Sequence, residues 1–117
     1  MSEKPPLSPF RTAGSTVYVS GQLPRGADGR IIAGNAREQV RQTLQNLQRV
    51  LANAGLCLSD VVKVTAWLTD AEYMADFNAV YREYFHEPFP TRSTVISTLV
   101  VPDAIVEIEA IAFRGDG

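Results

Sequence analysis

The chain has 117 residues, of which 45% are hydrophobic and 21% charged, a composition typical of one globular domain. Its 11 Lys and Arg and 13 Asp and Glu give a net charge of −2, which disfavours a dedicated nucleic-acid binder because such proteins usually carry a basic excess. Cys57 is the only cysteine, so an internal disulfide and a Cys-based zinc site are excluded within one chain. The N-terminus lacks the apolar segment of a signal peptide, and no apolar run approaches the ~18 residues of a membrane span. We therefore expect a cytoplasmic protein.

The first third of the chain predicts an arm, two short strands and a turn. Residues 1–8 are rich in proline and serine and predict an extended N-terminal arm. The β-rich residues 17–19 predict a strand that ends at Ser20 and Gly21. Asp28 and Gly29 then form a turn signal, after which residues 31–32 are interpreted as a short returning strand.

A helix is predicted to start at Asn35. Asn35 is a good N-cap, and Glu38 follows three residues later, as in a capping box. Apolar residues then recur at steps of four and three, which places them on one helical face: Val40, Leu44, Leu47, Leu51 and Ala54. Gly55 stands where a helix-ending glycine is expected.

The remainder predicts a strand, a helix and two strands. Residues 61–68 are β-branched and indicate a strand, and Asp70 can cap a second helix that must end before Pro88. That helix has an apolar stripe formed by Tyr73, Phe77, Val80, Tyr81 and Tyr84. Residues 93–99 and 104–113 are the last two strands. The fold class is therefore α+β with the order ββαβαββ, two helices packed on one mixed sheet, in a single domain spanning residues 1–117.

The last strand has two different faces. Its even positions are apolar and mostly small, which suits a face packed under helices: Val106, Ile108, Ala110 and Ala112. Its odd positions mix large apolar groups with two carboxylates: Ile105, Glu107, Glu109, Ile111 and Phe113. A face that mixes these groups indicates a subunit interface containing a polar site, and a half-exposed sheet with salt bridges is the alternative.

Few residues are candidates for chemistry. Arg92 begins a strand after a proline, and its planar guanidinium suits a carboxylate, although a surface salt bridge is the alternative interpretation. His86, the only histidine, is expected to be a solvated residue at a helix end. Cys57 lies between two leucines and is expected to be a small buried thiol. The sequence contains no P-loop, no dinucleotide-binding glycine motif and no metal-ligand cluster.

Three segments together resemble the signature of the RidA/YjgF family of imine and enamine deaminases. They are VSGQLP at 19–24, FPTRS at 89–93 and VEIEAIA at 106–112. The resemblance extends over residues 6–114 and includes the DFNAVY segment at 76–81. It implies a chorismate-mutase-like fold, assembled as a homotrimer with clefts between subunits. It also implies hydrolysis of 2-imino acids such as 2-iminopropanoate and 2-iminobutanoate to 2-keto acids and ammonia, without metal or cofactor.

The resemblance also assigns roles to residues of this chain. Arg92 matches the arginine that holds the substrate carboxylate, and Glu107 matches the glutamate that positions or activates the hydrolytic water. Ser20 and Gly21 match a pair that lines the cleft, and Asn78 matches an asparagine near it. The expected partner is a small imino or keto acid; neither nucleic acid nor membrane is expected.

Two positions depart from the common family pattern. Thr94 stands where many members carry a cysteine, and Leu7 stands where many carry a tyrosine. Both residues are expected to line the pocket and alter its wall while leaving the arginine and the glutamate in place. The alternatives are therefore a deaminase for another acid, such as an aminomuconate- or aminoacrylate-like one, and a trimer that binds small carboxylates without turnover. The endoribonuclease activity also attached to the family is less favoured by the negative net charge and single histidine.

Overall fold

The computed structural model describes residues 4–115, so positions 1–3 of the expected arm and positions 116–117 lie outside the described residues. The elements run in the order β1 (Phe10–Ala13), β2 (Thr16–Gln22), α1 (Ala36–Asn53), β3 (Val61–Leu68), α2 (Met74–Tyr84), β4 (Thr91–Ile96) and β5 (Val106–Phe113). The predicted α+β class is thus confirmed. The order is ββαβαββ, as predicted, but the two strands before α1 are not the two segments that the sequence predicts.

All five strands form one mixed sheet with the order β1-β2-β5-β3-β4. The pairs β1–β2, β2–β5 and β5–β3 are antiparallel, whereas β4 pairs in parallel with β3 at the edge. A parallel neighbour requires a crossover connection, and α2 supplies it between β3 and β4. The two helices cover one face of the sheet and leave the other face open.

Helix α1 begins and ends where the sequence predicts. The Asn35 side chain accepts a hydrogen bond from the Glu38 backbone N–H at 2.9 Å, and the Glu38 carboxylate accepts one from the Asn35 N–H at 3.0 Å. Gly55 follows the helix with φ +80°, which is the left-handed conformation expected there. The apolar stripe of α1 is buried against the sheet together with Phe77 and Val80 of α2.

The N-terminal region differs from the prediction. The first strand is Phe10–Ala13, and Ile31 forms only an isolated bridge with Arg25. Strand β2 also continues through Ser20 and Gly21 to Gln22, instead of ending at this pair. Its register changes there by one residue, since Val19 faces Ala110 but Gln22 faces Ile108. The pair Ser20–Gly21 is therefore a β-bulge within a strand.

Strand β5 has the two predicted faces, with one exception. Its even positions are at most 2% exposed beneath the helices. Glu107 and Glu109 lie on the open face, opposite Trp67 and Thr65 of β3. Ile105, expected on that open face, precedes the strand and packs against the core, because its backbone N–H is held by a buried glutamine of α1. No helix within residues 4–115 is long and apolar enough to cross a bilayer.

Candidate functional site

Arg92 is held against the aromatic side chains of α2. It pairs with the buried Val64 and therefore lies on the helix-covered face of the sheet. Its guanidinium carbon is 4.7 Å from the ring centre of Tyr81 and 5.1 Å from that of Phe77. Both distances are within the range of a cation–π interaction. This support restrains the position of the guanidinium.

A cavity of about 380 Å³ opens beside this arginine. Its wall consists of polar, aromatic and basic side chains from α2, β4 and the segment between them: Asn78, Tyr81, Arg82, Phe89, Pro90 and Arg92. Within the described chain none of these lining side chains is acidic. Burial raises the pKa of Tyr81 to about 12, against the lowering effect of the nearby Arg92 charge, so its phenol stays neutral. The lining of the cavity is thus basic and aromatic, which is suited to an anionic ligand.

Glu107 lies on the open face beside Gly21. A Cβ added to Gly21 would overlap the Glu107 carboxylate, with the carboxyl carbon only 3.0 Å away. Gly21 does not have the positive φ that requires a glycine, so the close approach of Glu107 accounts for it. Partial burial, and secondarily the charge of Glu109, raise the pKa of Glu107 above its usual value. Such a shift suits a carboxylate that accepts a proton.

The N-terminal arm packs beside the bulge of β2. The Ser20 hydroxyl donates a hydrogen bond to the Ser8 carbonyl at 2.6 Å, and the Ser20 N–H donates one to the Pro9 carbonyl at 3.0 Å. Leu7 is 63% exposed and lines a shallow surface depression with Ser20 and Tyr18. Ser20 and Leu7 therefore lie on the Glu107 side of the chain.

The predicted site residues thus form two separate groups. Arg92 and Asn78 line the cavity, and Thr94 lies on the same face of β4 because it pairs with the buried Ala66. Glu107 lies on the opposite face, two strands away, which alone separates the two strands by roughly 10 Å. One protomer does not present Arg92 and Glu107 to the same small ligand.

Three other expectations from the sequence have clear outcomes. His86 is exposed after α2, as predicted. The prediction of a buried Cys57 is wrong: its thiol is exposed and lies 2.9 Å from the Ser59 hydroxyl, because the residue precedes a short 3₁₀ turn at the surface. Residues 4–115 contain no group of three or more His, Cys, Asp or Glu side chains that could hold a metal ion.

Four residues of the cavity wall are not among the predicted site residues: Tyr81, Arg82, Phe89 and Pro90. Two of them supply chemistry to the cavity, Tyr81 as a support for Arg92 and Arg82 as a second cation. The spacing on α2 could have identified Tyr81 and Arg82, because residues three and four positions apart lie on the same face of a helix. Asn78, Tyr81 and Arg82 have this spacing. Tyr81 was assigned only to the apolar stripe.

Two ion pairs join the outer surfaces of the two helices. Arg37 of α1 pairs with Asp76 of α2 at 2.8 Å, and Arg41 pairs with Glu83 at 3.2 Å. Two of the basic residues of α1 are thereby neutralised by acidic residues of α2.

Comparison with known proteins identifies relatives over almost the whole chain. The family model described as Endoribonuclease L-PSP matches residues 2–114. A RutC family protein of Pyrococcus horikoshii is 39% identical over 113 residues, covering 93% of this chain and 90% of the relative. TdcF of Escherichia coli K12, whose name provisionally assigns it as a reactive intermediate deaminase, is 38% identical over 104 residues, covering 86% of this chain and 81% of TdcF.

Solved structures give the same result. The crystal structure of E. coli TdcF with bound serine has a TM-score of 0.88 and 35% identity, covering 97% of this chain and 91% of that one. RidA from the Antarctic bacterium Psychrobacter sp. PAMC 21119 has a TM-score of 0.89 and 32% identity, covering 96% and 91%. This chain therefore belongs to the RidA/YjgF family, whose family model carries the description Endoribonuclease L-PSP.

Proposed function

We propose that the protein hydrolyses 2-imino acids, and the enamines in equilibrium with them, to 2-keto acids and ammonia. The observation that carries the proposal is Arg92, fixed by two aromatic rings beside a cavity without acidic lining. A guanidinium held in this way can bind the substrate carboxylate through two charge-assisted hydrogen bonds. The similarity to TdcF supports the reaction class.

Glu107 is the proposed base. A water molecule adds to the C=N carbon and gives a proton to the Glu107 carboxylate, which passes that proton to the imine nitrogen. The hydroxyl proton of the resulting amino alcohol reaches the nitrogen by the same route, the C–N bond breaks, and ammonia and the ketone are released with Glu107 ionised again. Overall, one imine and one water molecule are consumed, and one ketone and one molecule of ammonia are formed. The raised pKa of Glu107 supports this role, because a more basic carboxylate accepts the proton more readily.

The arrangement requires a second subunit. Since Arg92 and Glu107 lie on opposite faces of one sheet, we infer that Arg92 of one subunit faces Glu107 of its neighbour across an interface. Exposed apolar side chains on the open face and the edge strand support an assembly: Tyr18, Phe113, Val95 and Ile96. A homotrimer closes such a head-to-tail arrangement with three equivalent clefts.

The ribonuclease description of the family model receives less support from this surface. The ion pairs of Arg37 and Arg41 remove two of the charges that a phosphate backbone would contact. The cavity beside Arg92 has a use in an enzyme that acts on a small carboxylate, whereas ribonuclease activity does not account for it.

The test generates 2-iminobutanoate in place with a threonine dehydratase and follows 2-ketobutyrate formation. Wild-type protein should accelerate it, and Arg92→Ala should lose about a hundredfold in kcat/KM, since two hydrogen bonds to a charged group are removed. Arg49→Ala, which removes an exposed arginine of α1, serves as the matched control and should retain full activity. No acceleration by wild type, or an acceleration that survives in Arg92→Ala, would refute the proposal.

A further inference from the structure

The cavity beside Arg92 holds a second guanidinium, that of Arg82. Arg82 and Asn78 are four residues apart on α2, and both line the cavity together with Arg92. Two cationic side chains therefore border one space of about 380 Å³, near the lower end of the roughly 300–1,000 Å³ common for small-molecule sites. This local excess of positive charge stands out in a chain whose net charge is −2.

The charge of Arg82 is not used elsewhere in the described structure. None of the helix positions three or four residues away is acidic, and the adjacent Glu83 pairs instead with Arg41 of α1. Within residues 4–115, Arg82 makes no salt bridge. A single substrate carboxylate needs only the Arg92 fork, so Arg82 is left free for a second anionic group.

We propose that the preferred substrate is a 2-imino acid with a second carboxylate. Arg92 holds the carboxylate next to the imine carbon, and Arg82 holds the distal one. Water adds to the C=N bond, ammonia leaves, and the product is a 2-oxo dicarboxylate. This inference rests on the proposed deaminase function and narrows its substrate class. It also implies that the reaction supplying the substrate releases an imine or enamine of a dicarboxylic amino acid.

An alternative role for Arg82 is to stabilise the end of helix α2, and this role predicts a different result. Arg82 lies in the last turn of α2, where a cation interacts favourably with the helix dipole. If that were its whole role, its removal would change the stability of the helix and leave ligand preference unchanged. A ligand pair that differs only at the distal group separates the two accounts.

The experiment measures binding of 2-oxoglutarate and 2-oxopentanoate, two product-like acids of equal chain length, by calorimetry with the intact protein. Wild type should bind the dicarboxylate about tenfold more tightly, the effect of one added hydrogen-bonded ion pair. Arg82→Gln should weaken the binding of 2-oxoglutarate more than that of 2-oxopentanoate, so that the ratio of the two affinities falls from about ten to about one. Arg49→Gln removes the same charge from the exposed face of α1 and should keep the preference.

Equal binding of the two acids by wild type, no binding of either, or a preference that survives in Arg82→Gln would overturn the inference. Hydrolysis of 2-iminobutanoate that depends on Arg92 is measured in parallel. If that activity is present while the dicarboxylate preference is absent, the substrate class is wrong and the deaminase function stands. If that activity is absent as well, the proposed function itself has failed.

Discussion

At the scale of single residues, the contact between Gly21 and Glu107 decides how the proposed base is presented. The sequence of either strand alone does not predict this contact. The pattern of β5 places Glu107 on the open face, but it does not show which residue of β2 lies next to it. The bulge at Ser20 and Gly21 shifts the register of β2 by one residue, and the absent side chain of the glycine leaves room for the carboxylate. A sequence pattern reveals the glycine but not what fills the space beside it.

This contact predicts a pH dependence that one methyl group alters. Activity should fall as the pH falls through the raised pKa of Glu107, giving an acid limb above its usual value of 4.5. The effect of pH on stability is opposite to its effect on activity. Between the pKa of Glu107 in the unfolded chain and its raised pKa in the folded chain, the native state binds more protons than the unfolded state. The free energy of unfolding therefore decreases as the pH rises through this range. In Gly21→Ala the new Cβ displaces the carboxylate towards solvent, so the acid limb should move down and kcat should fall by about 10- to 100-fold. The measurement is a pH profile of kcat.

The control for that variant is Gly21→Ala combined with Glu107→Asp, which shortens the side chain that the methyl group meets. The double variant should fold as stably as Glu107→Asp alone, whereas Gly21→Ala alone should carry the clash. A Gly21→Ala protein with the wild-type rate and acid limb would contradict the positioning role.

At the scale of elements, the sequence identifies the helices better than the strands. Helix α1 is recognisable because its cap, its apolar period and its terminal glycine all lie within one continuous segment. Strand β1, by contrast, has four residues, three of them exposed, and contains Arg11, so it lacks the apolar alternation that predicts a strand. Strand β1 forms because it pairs with β2, and the residues of β1 alone do not predict this pairing.

The same limit explains the separation of the site residues. Which face Arg92 occupies depends on the parallel pairing of β4 with β3, and the sequence of β4 alone does not contain that register. Arg92 and Glu107 could be assigned to strands and to a family motif. Their placement on opposite faces required the sheet order.

The capping box predicts a measurable stability at the start of α1. Asn35→Ala removes the side-chain acceptor of the Glu38 N–H and should lower the free energy of unfolding by about 1 kcal/mol. Asn53→Ala, an exposed asparagine in the last turn of the same helix, is the matched control and should change it little. Urea denaturation at one fixed protein concentration measures both. Equal effects in the two variants would show that the cap contributes nothing specific.

At the scale of the whole molecule, the sheet has one face buried under the helices and one open face. The open face combines Tyr18, which is 50% exposed, and Phe113, which is 45% exposed, with the two carboxylates of β5. Exposed aromatic side chains on one face of a sheet are a feature of surfaces that contact another protein. These side chains share the open face with Glu107, which is consistent with the proposal that the interface and the catalytic cleft coincide.

Mixing two impaired variants tests that proposal. Arg92→Ala and Glu107→Gln should each have very low activity alone, about a hundredfold below wild type for Arg92→Ala, but subunit exchange between them should restore activity. In a cyclic trimer every mixed assembly contains one cleft with both native residues, so equal mixing should give about a quarter of the wild-type rate. Sedimentation should give a mass near three times that of the 12.8 kDa chain. Failure of exchanged mixtures to regain activity would place both residues in one chain's site or refute their roles.

The placement of Arg92 and Glu107 on opposite faces of one sheet implies that activity depends on the concentration of the protein itself. Under the proposal that the cleft forms between subunits, a lone subunit would carry only two half-sites, and turnover per chain would depend on total protein concentration through the law of mass action. Dilution below the dissociation constant of the proposed assembly would then abolish activity without any effector. Substitutions on the exposed strands would then change how much protein a cell must make before any of it works.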